Sequence, residues 1–278
     1  MLSQRFEDRM TATAAAPPLL SCRNVGKSFG ALSAVNDLSF EVGIGEVLGI
    51  GGPNGAGKTT LFELISGLNP ASRGTIVLSG RDITRLTPEQ ICHAGVARTF
   101  QLNAGFDSLT ARENVLVGAY FGRENRILPS FRVGSEANEA ADEAMALVGI
   151  EASANRITGK LPVLERKLLM MASAVATRPK LLLMDEPVGG LTAKETDRVM
   201  QAVRTIKASG VTIILIEHVM RFLVQLSDRV MVMHHGEKIF EGLPGNLVND
   251  RTVVDVYLGQ GASDRLRSFM QEKVHAHG

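Results

Sequence analysis

The sequence predicts an α/β fold: a mainly parallel sheet flanked by helices, with a mostly helical segment set into it. Three observations carry that expectation. Beyond Pro179, the apolar runs "LLLM" and "VTIILI" are separated by a helix-period stretch, "AKETDRVMQAVRTIKAS", and strand–helix alternation builds parallel sheets. Earlier, "VLGI" leads through a glycine-rich turn into "GKTTLFELISG", a helix that Gly67 can end. From about residue 104 to 178 strand signals fade and helix signals replace them.

The remaining elements can be taken in chain order. "LSFEV" and "VLGI" read as strands around the turn "GIGE", and "TIVLSG" reads as another. "SEANEAADEAMALVG" reads as a helix with Ser135 as its N-cap and Gly149 past its end. "ERKLLMMASAVAT" places Leu168, Met171, Ala172, Val175 and Ala176 on one helical face, a core-facing stripe. "RVMVMHHGEKIFEG" reads as a hairpin turning at His235-Gly236.

The phosphate chemistry begins at Gly52. "GPNGAGKT", from Gly52 to Thr59, fits G-x-x-x-x-G-K-[ST] between a strand and a helix. Successive backbone N–H groups must wrap phosphate oxygens, which needs glycines where a Cβ would obstruct or φ is positive. Gly52, Pro53, Asn54, Gly55, Ala56, Gly57, Lys58, Thr59 and Thr60 are the expected nucleotide-binding residues. Lys58 would reach the β and γ phosphates, and Thr59 would offer its hydroxyl to Mg²⁺. The strand "LLLMDEP" delivers Asp185 and Glu186 at its carboxyl end, where open α/β sheets bind ligands. Asp185 suits Mg²⁺, and Glu186 suits the attacking water, as general base or orienter. "VTIILIEHVM" repeats the arrangement and ends in Glu217-His218, where His218 can donate to the γ-phosphate. His93, His234 and His235 read as ordinary solvent-facing histidines.

Composition narrows the function. With 278 residues, 45% of them hydrophobic, the chain can bury a large core in one large or two modest domains. A formal net charge of +1 leaves no phosphate-neutralising excess and argues against a nucleic-acid partner. Cys22 and Cys92 lie far apart without metal-ligand companions, as in a reducing compartment. No segment approaches the roughly 18 uncharged apolar residues that span a bilayer, so a membrane role would be peripheral. The start, "MLSQRFEDRMTATAAAPPLL", is a poor secretory signal and reads as a loose extension.

These motifs, in this order, resemble the nucleotide-binding subunit of an ABC transporter over roughly residues 19 to 260. "FGALSAVNDLSFEV", "GVARTFQ", "LTARENVLVGAY", "ATRPKLLLMDEPVGGLTAKE", "LIEHVM" and "FEGLPGNLVNDRTVVDVYLG" are similar to the ATPase subunits of importers for branched-chain amino acids and other small polar solutes. Of the two ATPases in such systems, the longer insert "FGRENRILPSFRVG" resembles the one that carries it. The resemblance implies a P-loop NTPase core of the ABC type, with an antiparallel β subdomain and an inserted helical subdomain. It implies an ABC ATPase domain over residues 19–261, helical over about 104–178, between a loose extension (1–18) and a C-terminal tail (262–278).

The resemblance also implies roles. Phe29, which reads as core from its residue type alone, lies where the family stacks an aromatic on adenine. Gln101 matches the glutamine that contacts Mg²⁺ and water and senses the membrane subunit. Asp185, Glu186 and His218 take the magnesium, catalytic and switch roles. The implied cofactors are ATP and Mg²⁺. The implied partners are a second ATPase subunit (a heterodimer favoured over a homodimer), two transmembrane permeases and, indirectly, a solute-binding protein, at the cytoplasmic face of the inner membrane. Rival readings are a soluble ABC-type ATPase outside transport, a GTP switch or small-molecule kinase sharing only the P-loop, and a regulatory ATP binder with low turnover. No Asn-Lys-x-Asp guanine-reading motif occurs.

One departure stands out. The family's signature turn, Leu-Ser-Gly-Gly-Gln, here reads Leu161-Pro162-Val163-Leu164-Glu165. Pro162 offers neither hydroxyl nor N–H, Leu164 adds bulk, and Glu165 adds charge. Thr192 also replaces a common aspartate in "GGLT". Either the composite site built on this turn is weakened, or the turn works through main-chain groups alone.

Overall fold

The structure is a computed structural model that describes residues 17–99, 105–122 and 134–258. Gln101, most of the "FGRENRILPSFRVG" insert and both chain ends lie outside the described residues. The described strands form two sheets. In the first, β1 (Leu20–Phe29) pairs antiparallel with β2 (Leu32–Val42) and with β4 (Arg73–Leu78), and β4 with the short β5 (Arg81–Asp82). In the second, β3 (Val47–Gly51), β6 (Val96–Arg98), β7 (Leu181–Asp185), β8 (Thr212–Ile216) and β9 (Arg229–His234) run parallel, and β10 (Glu237–Gly242) joins β9 antiparallel at the edge. Its order is β10-β9-β3-β8-β7-β6.

The parallel strands are apolar at nearly every position because both faces are covered. Leu182, Met184, Ile213, Leu215, Val230 and Val232 face one core; Leu181, Leu183, Ile214, Ile216, Met231 and Met233 face the other. The second core also takes the inner face of the antiparallel sheet and α1 (Lys58–Ile65), whose Leu61, Phe62, Leu64 and Ile65 are buried. Each such fully buried side chain contributes about 1.5–3 kcal/mol relative to exposure. The first core takes the inserted helices.

Those helices occupy the crossover between β6 and β7. They are α3 (Ala111–Phe121), α4 (Ser135–Val148) and α5 (Val163–Val175), packed on one another; α2 (Pro88–Ala94) precedes β6. The expected stripe on α5, Leu168, Met171, Ala172 and Val175 with the following Ala176, is buried. Helix α4 ends at Gly149 as expected, but Ser135 is its first helical residue and Gly134 its N-cap. Gly134 is extended, and its carbonyl accepts from the Asn138 side chain at 3.0 Å, so the helix starts one residue early without a hydroxyl cap. After β7 come α6 (Ala193–Ala208) and α7 (Met220–Leu226). The hairpin turns at His235-Gly236, both with positive φ, between the paired His234 and Glu237.

Helices α3 and α5 meet at Gly118, where a Cβ would run into the Ser173 carbonyl oxygen. Gly118→Val is therefore expected to push the helices apart and cost about 1–3 kcal/mol, read as a lowered midpoint in denaturant melts.

Candidate functional site

Strand register assembles the site. Ile50 of β3 pairs with Ile216 of β8, and Ile216 with Asp185 of β7, so three chain segments leave the sheet from one row. Just beyond that row lie the Gly52–Thr60 loop, Glu186, and Glu217-His218. The structure thus brings together the sequence-predicted loop, acidic pair and histidine.

The loop is braced from outside. Gly52 and Gly57 both have positive φ, and a Cβ would strike the Met233 carbonyl oxygen at the first and that of Ala34 at the second. The hairpin supplies the brace: Gly236 N–H donates to the Ala56 carbonyl at 3.0 Å, and Asn36 N–H donates to the Gly236 carbonyl at 2.8 Å. Gly236 and Ala34 escape motif reading because they hold the cradle by backbone alone. Gly57 caps α1 in the left-handed conformation, and Lys58, Thr59 and Thr60 begin the helix, whose first amides have no intrahelical acceptor. Pro53, Asn54 and Gly55 form the outer turn, with Asn54 and Gly55 exposed.

The Lys58 ammonium donates to the Gly52 and Pro53 carbonyls, each at 2.8 Å. Burial pushes it below the ordinary lysine value, and the nearby Glu186 and Asp185 partly oppose that shift. Thr59 is exposed at the cradle's edge. Asp185 and Thr59 supply a carboxylate and a hydroxyl, hard-oxygen donors of the type that Mg²⁺ takes together with phosphate and water.

Glu186 sits at φ 47°, an uncommon conformation for a residue with a Cβ. Its N–H donates to the Ile216 carbonyl at 3.0 Å, and its carbonyl accepts from Lys167 at 3.1 Å. Its carboxylate lies 3.6 Å from His218 Nδ1, facing it rather than hydrogen-bonded to it, with both side chains partly exposed. Phe29, at the end of β1, is 47% exposed with Lys27 Nζ 5.0 Å above its ring, which corrects the core assignment its residue type suggests. His93 meets the Phe121 carbonyl at 3.1 Å, and the His234 and His235 rings lie against each other rather than standing alone in solvent.

The variant turn has a definite form. Pro162 is the N-cap of α5, Leu161 and Leu164 are buried, and Val163 is exposed. Glu165 accepts from Ser153 Oγ at 2.6 Å and from Arg156 at 2.8 Å, so its charge is already matched. Thr192 caps α6 in a reciprocal box with Glu195, which explains a threonine there.

Sequence reading missed Arg98. Its guanidinium donates to Asp185 Oδ2 at 2.8 Å, both side chains nearly inaccessible, and lies 5.6 Å from the Phe62 ring on α1. Arg98→Met strips a buried carboxylate of this partner and is expected to destabilise the chain by about 3–5 kcal/mol. Adding Asp185→Asn is expected to restore much of that in the same melts, because the unpaired charge goes too.

Comparison with known proteins gives the site a family. A model described as ABC transporter matches residues 35–189. The chain is 35% identical over 251 residues to the high-affinity branched-chain amino acid transport ATP-binding protein BraF of Pseudomonas aeruginosa, covering 87% of this chain and 98% of that one. The figures are the same for LivG of Escherichia coli K12, which carries the same description. Among solved structures, the ADP conformation of MJ1267, an ATP-binding cassette of an ABC transporter, superposes with a TM-score of 0.80 at 30% identity, over 88% of this chain and 100% of that one. A nucleotide-free cassette from an ABC transporter gives 0.78 at 29%, with the same coverage. Cradle, acidic strand end and helical insertion thus occur in one chain with relatives along nearly its whole length, and the chain belongs to the ABC transporter family as an ATP-binding, ATP-hydrolysing subunit.

Proposed function

We propose that this subunit powers an importer for branched-chain amino acids or related small polar solutes, docked at the cytoplasmic face of the inner membrane. No helix among the described residues is long and apolar enough to cross a membrane, so the solute path would belong to two permease subunits fed by a solute-binding protein. The choice of solute rests on the likeness to BraF and LivG. The ATPase role rests on one observation: the Lys58 cradle and the Asp185-Glu186 strand end open from the same row of the sheet.

In this reading the loop amides and Lys58 hold the β and γ phosphates. Asp185, Thr59 and Gln101 would hold Mg²⁺, which when bound would neutralise charge on the transferring phosphoryl group. Glu186 orients the attacking water and takes its proton as the bond to the β-phosphate oxygen breaks. His218, beside Glu186, would donate to the γ-phosphate, and Phe29 would stack on the adenine. Lys58→Ala is expected to abolish ATP binding and turnover in the assembled transporter. Glu186→Gln is expected to keep ATP binding while lowering kcat at least about 10²-fold, the two being separated by nucleotide-binding and phosphate-release assays.

Each ATP would lie between one subunit's cradle and the partner's signature turn. This chain's cradle has every expected residue, whereas its turn, Leu161–Glu165, departs from the family. A heterodimer would then be asymmetric, with ATP on this chain hydrolysed against the partner's turn and ATP on the partner turning over more slowly. Single-turnover hydrolysis with each subunit's general-base glutamate mutated separately tests this. Unequal losses are expected, and equal losses overturn the asymmetry.

A further inference from the structure

Among the described residues, the buried charge nearest the site that has no assigned role is Glu217. Its side chain is wholly inaccessible, at the end of β8 between Ile216 and His218. One carboxylate oxygen accepts the Val188 N–H at 2.9 Å; the other accepts the His218 and Val219 N–H groups, each at 3.2 Å. Its own N–H donates to the Ile50 carbonyl at 3.3 Å, one residue before β3 ends. Val188 lies two residues beyond Glu186. A single carboxylate therefore ties the loop bearing Glu186 to the loop bearing His218, directly behind the phosphate cradle.

Lys167 completes the arrangement from α5. Its ammonium donates to the Glu186 carbonyl, and Glu217 and Glu186 both stabilise its charge against the burial that lowers its pKa. The Glu186 peptide, in a left-handed conformation that costs a residue with a Cβ roughly 1–2 kcal/mol, is thus fixed on either side. Its N–H is held by Ile216, its carbonyl by Lys167, and the N–H two residues on by Glu217.

Packing alone does not account for this pair. Burying a carboxylate is costly unless its oxygens are satisfied, and an apolar side chain would fill the same space more cheaply. The N–H groups that satisfy Glu217 all belong to the two loops that carry Glu186 and His218. We infer that Glu217 and Lys167 are positioning residues, which fix the backbones of Glu186 and His218 and so set the separation at which those side chains meet the attacking water and the phosphate. The inference rests on Glu186 being the group that acts on water.

The test uses the assembled transporter and three variants. Glu217→Gln keeps an acceptor for Val188 but turns an amide donor toward the His218 and Val219 N–H groups. It is expected to lower kcat about 10- to 100-fold, because misplacing catalytic groups by around 1 Å costs rate on that scale. KM for ATP and affinity for a fluorescent ATP analogue should stay within about twofold, since binding is made elsewhere. Lys167→Gln is the milder second variant and decides if Glu217→Gln does not fold; its expected loss is about 3- to 10-fold in kcat, again at constant nucleotide affinity. Glu186→Gln is the reference. If it retains wild-type kcat, the assignment of Glu186 fails and the inference with it. If it is inactive but Glu217→Gln and Lys167→Gln turn over normally, or lose nucleotide affinity in step with kcat, the positioning role alone is overturned.

Discussion

Because β3, β8 and β7 pair in parallel with Ile50, Ile216 and Asp185 in one row, the chain emerges three times from the same lip of the sheet. A one-residue slip in either pairing would invert which side chains face which core, since strand side chains alternate. Both faces are apolar, so a slip would bury no polar group; it would instead exchange the differently shaped sets that fill the two cores, Leu181, Leu183, Ile214 and Ile216 in one and Leu182, Met184, Ile213 and Leu215 in the other. Core packing therefore fixes the row, and the row fixes where the loops begin. The site inherits its precision from hydrophobic residues that never touch nucleotide.

Three carboxylates crowd that lip, and each is handled differently. Asp185 is paired with Arg98 in near-complete burial. Glu217 is satisfied by three backbone N–H groups, although burial still raises its pKa. Glu186 has its backbone fixed, while its side chain stays partly open beside His218. On the proposed roles, a group that exchanges a proton with water needs such access, and one that only holds backbone, as Glu217 does, needs none. The division of labour among chemically similar acids is thus a matter of environment.

Much of this was legible in sequence, because the cradle is a spacing rule and the strand ends are apolar runs closed by acids. The helical insertion and the hairpin at His235-Gly236 were legible for the same reason: periodicity and turn chemistry are local. What escaped was non-local or hidden in the backbone. Arg98 and Asp185 are 87 positions apart, so nothing local pairs them. Gly236 braces Ala56 with a main-chain N–H, which leaves no mark on residue type. Phe29 reads as core because aromatics usually are; its exposure comes from sitting at the end of an antiparallel strand. The capping boxes at Thr87/Gln90, Thr110/Glu113 and Thr192/Glu195 did carry a local signal, threonine with Glu or Gln three residues later.

The Leu161–Glu165 turn shows how structure changes the weight of a sequence anomaly. Read as letters, it carries three liabilities: Pro162 without donors, Leu164 as bulk, Glu165 as charge. In the fold, Leu164 turns into the helical core, and Arg156 and Ser153 neutralise Glu165. The outward residues are Pro162 and Val163, and the helix behind them still presents first-turn amides without intrahelical acceptors. What remains is the donor deficit at Pro162. Loss of one preorganised donor costs about 10²–10³ in rate, and loss of several would cost much more. On the proposed asymmetric reading, the composite site on this turn would therefore turn over slowly yet still hold anionic phosphate at a helix N-terminus, which would separate it from an inert one.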